Sequence, residues 1–263
     1  MTFRICRFQR PYREPSVGLL IGKENQKIKP LSKSGIYSME ELATMGKQEL
    51  IEMLEDARQD NSERLPREPR ESFLSPIGLT QPIFFKGSMK TLTGNSVIGQ
   101  DEMFKVSEEN QDIPNLGLTM VLNSNGEIIG YTIGTDVSQN TISDETTTTR
   151  DFAAGPVLVI DPGEEVVKKW KVKLTVYRNG EIVSQREGKI DPKISFEELS
   201  TKLFDLCSDF PSGVALFTQV ELVSGKNFTL ESNDLIEVSI DKIGSLKNRV
   251  VMIKPRTDLD PAG

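Results

Sequence analysis

PNLGLTMVLNSNGEIIGYTIGTDVS, Pro114 to Ser138, reads as two β-strands joined by a tight turn. Leu118 to Leu122 and Ile128 to Ile133 flank Ser124-Asn125-Gly126, where Asn-Gly takes positive φ at low cost, as a tight hairpin requires. A second hairpin repeats the idea. In WKVKLTVYRNGEIVSQREG, Trp170 to Gly188, the apolar Val172, Leu174 and Val176 alternate with Lys171, Lys173 and Thr175, and Asn179-Gly180 supplies the turn before Ile182. Period-two alternation of this kind predicts one buried and one wet face.

Outward from these hairpins the chain predicts further strands over Leu235–Ile240 and Val250–Ile253. Ser195 with Glu198 forms a capping box, and Phe196, Leu199, Leu203 and Leu206 give the following helix an apolar face. Residues 1–70 read as a small, locally helical N-terminal α/β region, in which Ser38 and Glu41 cap a helix. Its apolar stripe is Met39, Leu42, Leu50, Met53, Leu54 and Ala57, and it ends near Gln59. The polar, twice proline-interrupted stretch from Asp60 to Ser72 predicts an exposed connection to a β-rich domain over residues 71–263. The fold class is α+β with a largely antiparallel β core.

Of the 263 residues 37% are hydrophobic and 27% charged, and no apolar run approaches the roughly 20 residues that span a bilayer. The N-terminus carries Arg4, Arg7, Arg10 and Arg13 but lacks the apolar stretch of a secretory signal, so a cytoplasmic protein is expected, without a membrane partner. Lys and Arg sum to 32 against 39 for Asp and Glu, a balance of −7 that disfavours nucleic acid as a partner. Cys6 and Cys207 sit in no CxxC or zinc-like spacing and read as reduced structural thiols. With no His, neither a Ser-His-Asp nor a Cys-His arrangement is possible, and no imidazole is available to a metal.

The carboxyl end, ESNDLIEVSIDKIGSLKNRVV (Glu231–Val251), resembles the closing strands of the fumarylacetoacetate hydrolase superfamily. GYTIGTDVS (Gly130–Ser138) resembles its G-Y-T-x-x-N-D-V-S segment, FFKGS (Phe84–Ser88) its F-x-K stretch, and AAGPVLV (Ala153–Val159) its L-G-P segment. Order and spacing agree over about residues 80–255, and the pattern is most similar to the branch that dehydrates 2-keto-3-deoxy sugar acids. The resemblance implies a mixed β-roll and a homodimer. It also implies a Mg²⁺, Mn²⁺ or Ca²⁺ ion held by two Glu of an E-x-E strand and the Asp of N-D-V-S, which binds a 2-oxo acid or diketone and stabilises its enolate. Hard cations want several anionic oxygens, so the carboxylate pair is central to that chemistry.

Here the family's P-E-P-E-L-x-L-V aligns with Pro114 to Val121, so that Asn115 and Gly117 stand where the two glutamates belong and Asp136 alone survives. The Arg that follows N-D-V-S is missing, the pocket Lys falls on Thr146 with Arg150 four residues on, and the substrate-facing T-G-T reads Thr218-Gln219-Val220. Lys86 and Thr218 remain. These changes predict that the metal-dependent chemistry is gone, with no metal or other cofactor.

Lys86, Arg150 and Glu221 are the candidate catalytic side chains; Thr218, Gln219, Asn115, Asp136 and Thr146 are the candidate substrate contacts. Each has a plainer reading: a snorkelling lysine for Lys86, a surface ion pair for Arg150, a hydrogen-bonded strand end for Asp136. Glu221 stands where the family has a neutral residue and is a newly placed acid or base at the pocket mouth. Thr146 to Thr149 lie in a lid-like loop or an exposed edge, and Trp170 reads as core. Three functions follow. The first is a metal-independent lyase, isomerase or cyclase step of specialised metabolism on a carbonyl- or enol-containing small molecule; an apolar plug in the pocket sinks it. The second is a catalytically silent relative acting as a binding or assembly partner. The third is a 2-oxo-acid dehydratase or hydrolase whose metal site is rebuilt from Glu127 or Asp144.

Overall fold

The computed structural model describes residues 2–22, 27–62, 64–68, 72–85, 88–93, 96–108, 114–136, 152–207, 209–222 and 228–253. Its strands are β1 (Phe3–Gln9), β2 (Ser16–Ile21), β3 (Lys27–Pro30), β4 (Leu65–Pro66), β5 (Ser72–Leu74), β6 (Pro82–Phe85), β7 (Ser88–Thr93), β8 (Val97–Ile98) and β9 (Met103–Ser107). They continue with β10 (Asn115–Leu122), β11 (Ile128–Asp136), β12 (Phe152–Ile160), β13 (Lys171–Arg178), β14 (Glu181–Lys189), β15 (Val214–Gln219), β16 (Leu235–Ile240) and β17 (Gly244–Ile253). The helices are α1 (Met39–Thr44), α2 (Lys47–Gln59), α3 (Glu164–Val167) and α4 (Phe196–Leu206).

The large sheet runs β4-β3-β2-β1-β12-β11-β10-β15-β6-β7, with β5 on β1 and β8 on β12; the smaller runs β14-β13-β16-β17-β9. Most neighbours are antiparallel, while β8 on β12, β6 on β15 and β9 on β17 are parallel. This is the mixed, mainly antiparallel α+β architecture expected. Leu116, Leu118, Met120 and Leu122 of β10 share one core with Val172, Leu174 and Val176 of β13 and with Phe196, Leu199 and Leu203 of α4. The two sheets therefore close on each other through the alternating faces of the two hairpins that the sequence announces. On the other face of the large sheet, Leu42, Leu50 and Leu54 of α1 and α2 pack with Val121, Ile129 and Leu158.

Several local expectations are corrected. The strands of the N-terminal α/β region join the large sheet: β1 pairs with β12, across about 150 residues of sequence, and lies inside it. The helix expected from Ser38 to Gln59 is two helices, because Met45 and Gly46 are both extended. Thr175 is buried rather than wet, and the strand expected over Val250–Ile253 is the end of β17. Trp170 is core, as expected, with its ring edge-on to Tyr131. Neither cysteine is in a disulfide; Cys6 is buried and Cys207 exposed. Among the described residues no helix is long and apolar enough to cross a membrane.

Candidate functional site

The three positions aligned with the metal ligands come together on one face of two adjacent strands, β10 and β11. Asn115 of β10 lies directly opposite Asp136 of β11, and Gly117 lies opposite both Gly134 of β11 and Gln219 of β15. Side chains two apart on a strand share a face, so Asn115, Gly117, Asp136, Gly134 and Gln219 form one patch. Asp136 is 2% exposed, and Gln219 is at the exposed end of β15. Gln219 Nε2 donates to Asn115 Oδ1 at 2.8 Å. The amide at 115 thus meets a second neutral amide where the family pattern has glycine.

Gly117 has no room for a side chain. A Cβ there would lie 2.0 Å from the Thr218 carbonyl oxygen and 2.9 Å from the Phe217 ring. A Cβ on Gly134 would lie 2.3 Å from Thr119 Oγ1, 2.7 Å from Phe217 and 2.8 Å from Phe152. Phe217 and Phe152 meet edge to face with centroids 5.2 Å apart and are 4% and 0% exposed. They fill the space above the two glycines, backed by Ile77, Ile83, Ala154 and Ala215. Sequence reasoning did not single out either phenylalanine; Phe217, next to the recognised Thr218, was the available signal.

Asn115, Gly117 and Asp136 do not fit a hard divalent cation. They offer one carboxylate, an amide oxygen already accepting from Gln219, and a position closed by backbone. Among the described residues no group of three or more His, Cys, Asp and Glu is placed to hold a metal. Glu127 does not supply the missing donor. Its carboxylate accepts from Lys47 N and Asn123 Nδ2 at the β10–β11 turn, and these bonds, Lys47's first, hold its pKa below the usual range. That turn is the far end of β10 from Asn115, roughly 23 Å away at the rise of a strand.

The other candidates separate into two sets. Thr218 is 7% exposed and its Oγ1 donates to the Leu118 carbonyl at 3.0 Å. Glu221 is 87% exposed and paired with Lys193 at 3.2 Å, a solvated ion pair rather than a shielded acid or base. Thr218, Gln219 and Glu221 all border a cleft of about 870 Å³ between β15, β13, β14 and the start of α4. Lys86, Arg150, Thr146 and Asp144 lie outside the described residues.

The likeness to known proteins follows the motifs. Over 177 residues the chain is 29% identical to 2-dehydro-3-deoxy-D-arabinonate dehydratase of Saccharolobus solfataricus, covering 62% of this chain and 56% of that protein. Over 180 residues it is 26% identical to a probable 2-keto-3-deoxyxylonate dehydratase of Haloferax volcanii, covering 65% and 60%. The matched region thus spans less than two thirds of either curated relative. No protein-family model matches the chain. The fold superposes on a solved 2-keto-3-deoxyarabinonate dehydratase with a TM-score of 0.71 at 19% identity, covering 96% of this chain and all (100%) of that one. A fumarylacetoacetate hydrolase from Exiguobacterium antarcticum gives 0.65 at 18% identity, covering 95% and 100%. The resemblance to the sugar-acid dehydratases holds in sequence and in fold, and that to the fumarylacetoacetate hydrolases holds in fold.

Proposed function

We propose that this chain is a binding protein built on the fumarylacetoacetate hydrolase fold, without the metal-dependent dehydration that names its relatives. The observation that carries this reading is the Phe152–Phe217 pair seated on Gly134 and on Gly117, the second of which aligns with a family carboxylate. A ring pair in that place excludes both a second glutamate and the oxygen atoms of a chelating substrate. What remains open beside it is the cleft bordered by Thr218, Gln219 and Glu221. A small carbonyl- or enol-containing molecule binds there, outside the closed position. As the motifs imply, the protein is a homodimer.

The test is a thermal melt of the chelator-treated protein titrated with Mg²⁺ and Mn²⁺, because a ligand that binds only the native state raises the midpoint. Incubation with 2-keto-3-deoxy-D-arabinonate and Mg²⁺, followed by mass spectrometry, runs beside it. The expected result is no saturable shift at millimolar metal and no loss of water. A saturable shift, or metal-dependent dehydration, overturns the reading.

A second reading is favoured by the size of the cleft, which lies within the range of small-molecule sites. In it the cleft carries a metal-free lyase, isomerase or cyclase step, with Glu221 moving a proton. Turnover of an enolisable 2-oxo acid in chelator, lost in Glu221→Gln, establishes it. Unchanged turnover in that variant removes Glu221 from the chemistry.

A further inference from the structure

We propose that the cleft is an organic-anion site, in which Lys171 and Lys189 together grip a carboxylate or phosphate on the outer face of the β13–β14 ladder. The inference rests on the reading that the relatives' pocket is closed, since it moves the ligand outward to the second sheet.

Lys171 and Lys189 are directly opposite each other in the β13–β14 ladder, and both are exposed and line the cleft. Directly paired residues of an antiparallel sheet carry their side chains on one face, with Cβ atoms about 5 Å apart. Like charges directly opposite each other in a ladder are destabilising, and an anion between the two ammonium groups relieves that cost. Among the described residues neither ammonium makes an ion pair or a hydrogen bond. Lys173, two residues along the same face, is also without an ion pair there.

The acids of the cleft do not neutralise this pair. Asp241 Oδ2 accepts from the Lys171 backbone N–H at 3.1 Å, and Glu221 is engaged by Lys193. Glu187 stands opposite Lys173, one step away on the ladder, and Asp191 lies beyond the end of β14. Ile190, Phe196, Leu199 and Val220 border the cleft but are no more than 8% exposed and belong to the core on the other face of β13. A site of this composition recognises the anionic end of a small molecule.

Amide chemical shifts of the chelator-treated full chain, titrated separately with phenylpyruvate and phenyl phosphate, test this. The expected result is saturable shifts at Lys171, Gly188, Lys189 and Val220, with affinity reduced about tenfold by Lys171→Gln or Lys189→Gln, the loss of one charge-assisted hydrogen bond. Lys202→Gln, on the outer face of α4, leaves the affinity unchanged. Binding of both probes assigns a site for either headgroup; binding of one alone assigns that headgroup. Absence of shifts in the cleft, or shifts indifferent to both lysine variants, overturns the anion site and leaves the closed pocket standing. Shifts at Gly117 and Gly134 that require Mg²⁺ overturn the closed pocket and this inference with it.

Discussion

Gln219 donates to Asn115 across the β10–β15 ladder, so the residue aligned with a family glutamate is hydrogen-bonded to the residue aligned with a family glycine. The amide at 115 carries no charge to be neutralised. With Phe217 two positions earlier on β15 and so on the same face, one short strand carries both the polar partner of Asn115 and the apolar plug.

Gly117→Ala is expected to destabilise the protein by about 2–3 kcal/mol, the range of overpacked positions, because its Cβ meets a backbone carbonyl that cannot rotate away. Urea denaturation measures it. The double variant Asn115→Glu, Gly117→Glu, which restores the family's carboxylates, is expected to melt lower still and to show no Mg²⁺-dependent rise. A folded double variant with a saturable rise would show that ligand loss alone, not closure, separates this chain from its relatives.

Phe217→Ala is expected to cost about 3–5 kcal/mol, the loss of a buried ring plus the cavity it leaves, and Phe152→Ala a similar amount. The two costs are not additive. A ring pair in edge-to-face contact couples by about 1 kcal/mol, so the double variant falls short of the sum by roughly that amount in a double-mutant cycle. Strict additivity would mean that the rings fill separate spaces and do not act as one plug.

The elements that were legible in the sequence are those whose cause is local. Asn179 and Gly180 both have positive φ, at 54° and 86°, which is why Asn-Gly marked the second hairpin. Ser195 Oγ accepts from Glu198 N, so the cap of α4 was readable three residues ahead. The extended Met45 and Gly46 carry no such signal. Neither does the pairing of β1 with β12, which depends on a partner far along the chain. The site shows the same divide. Asn115 and Gly117 stand against the motif's glutamates by alignment, but the reason no side chain fits at Gly117 and Gly134 lies in Thr218, Phe217 and Phe152. These come from two other strands, and local periodicity cannot bring them to one point.

Lys29 is 2% exposed, and its ammonium donates to the Asp60 carboxylate at 2.6 Å and to the Ser62 carbonyl at 2.6 Å. The bond from Lys29, then those from Ser62, hold the Asp60 carboxyl well below the usual carboxylate range. A depressed folded pKa contributes stability above the unfolded value of about 4, and that contribution is lost as pH falls toward the folded pKa. Asp60→Asn is therefore expected to lower the melting temperature at pH 7, with the gap to the parent protein shrinking below pH of about 4. A gap independent of pH would assign the loss to geometry rather than charge.

Arg178 joins the end of β13 to the turn before β16. Its Nε and Nη2 donate to the two oxygens of Asp234, each at 2.9 Å, and Nη2 also donates to the Thr229 carbonyl. Asp234 is 0% exposed and accepts a further bond from Glu231 N. A buried carboxylate stripped of its cation keeps its desolvation cost and loses its compensation, so Arg178→Ala is expected to destabilise by about 3–5 kcal/mol. Arg178→Lys recovers little of this, because a point-like ammonium cannot make the two parallel bonds of a guanidinium. Chemical denaturation of both variants decides the matter. Near-parental stability of the lysine variant would show that charge alone holds Asp234, and that the fork between the hairpin and the closing strands contributes no geometry of its own.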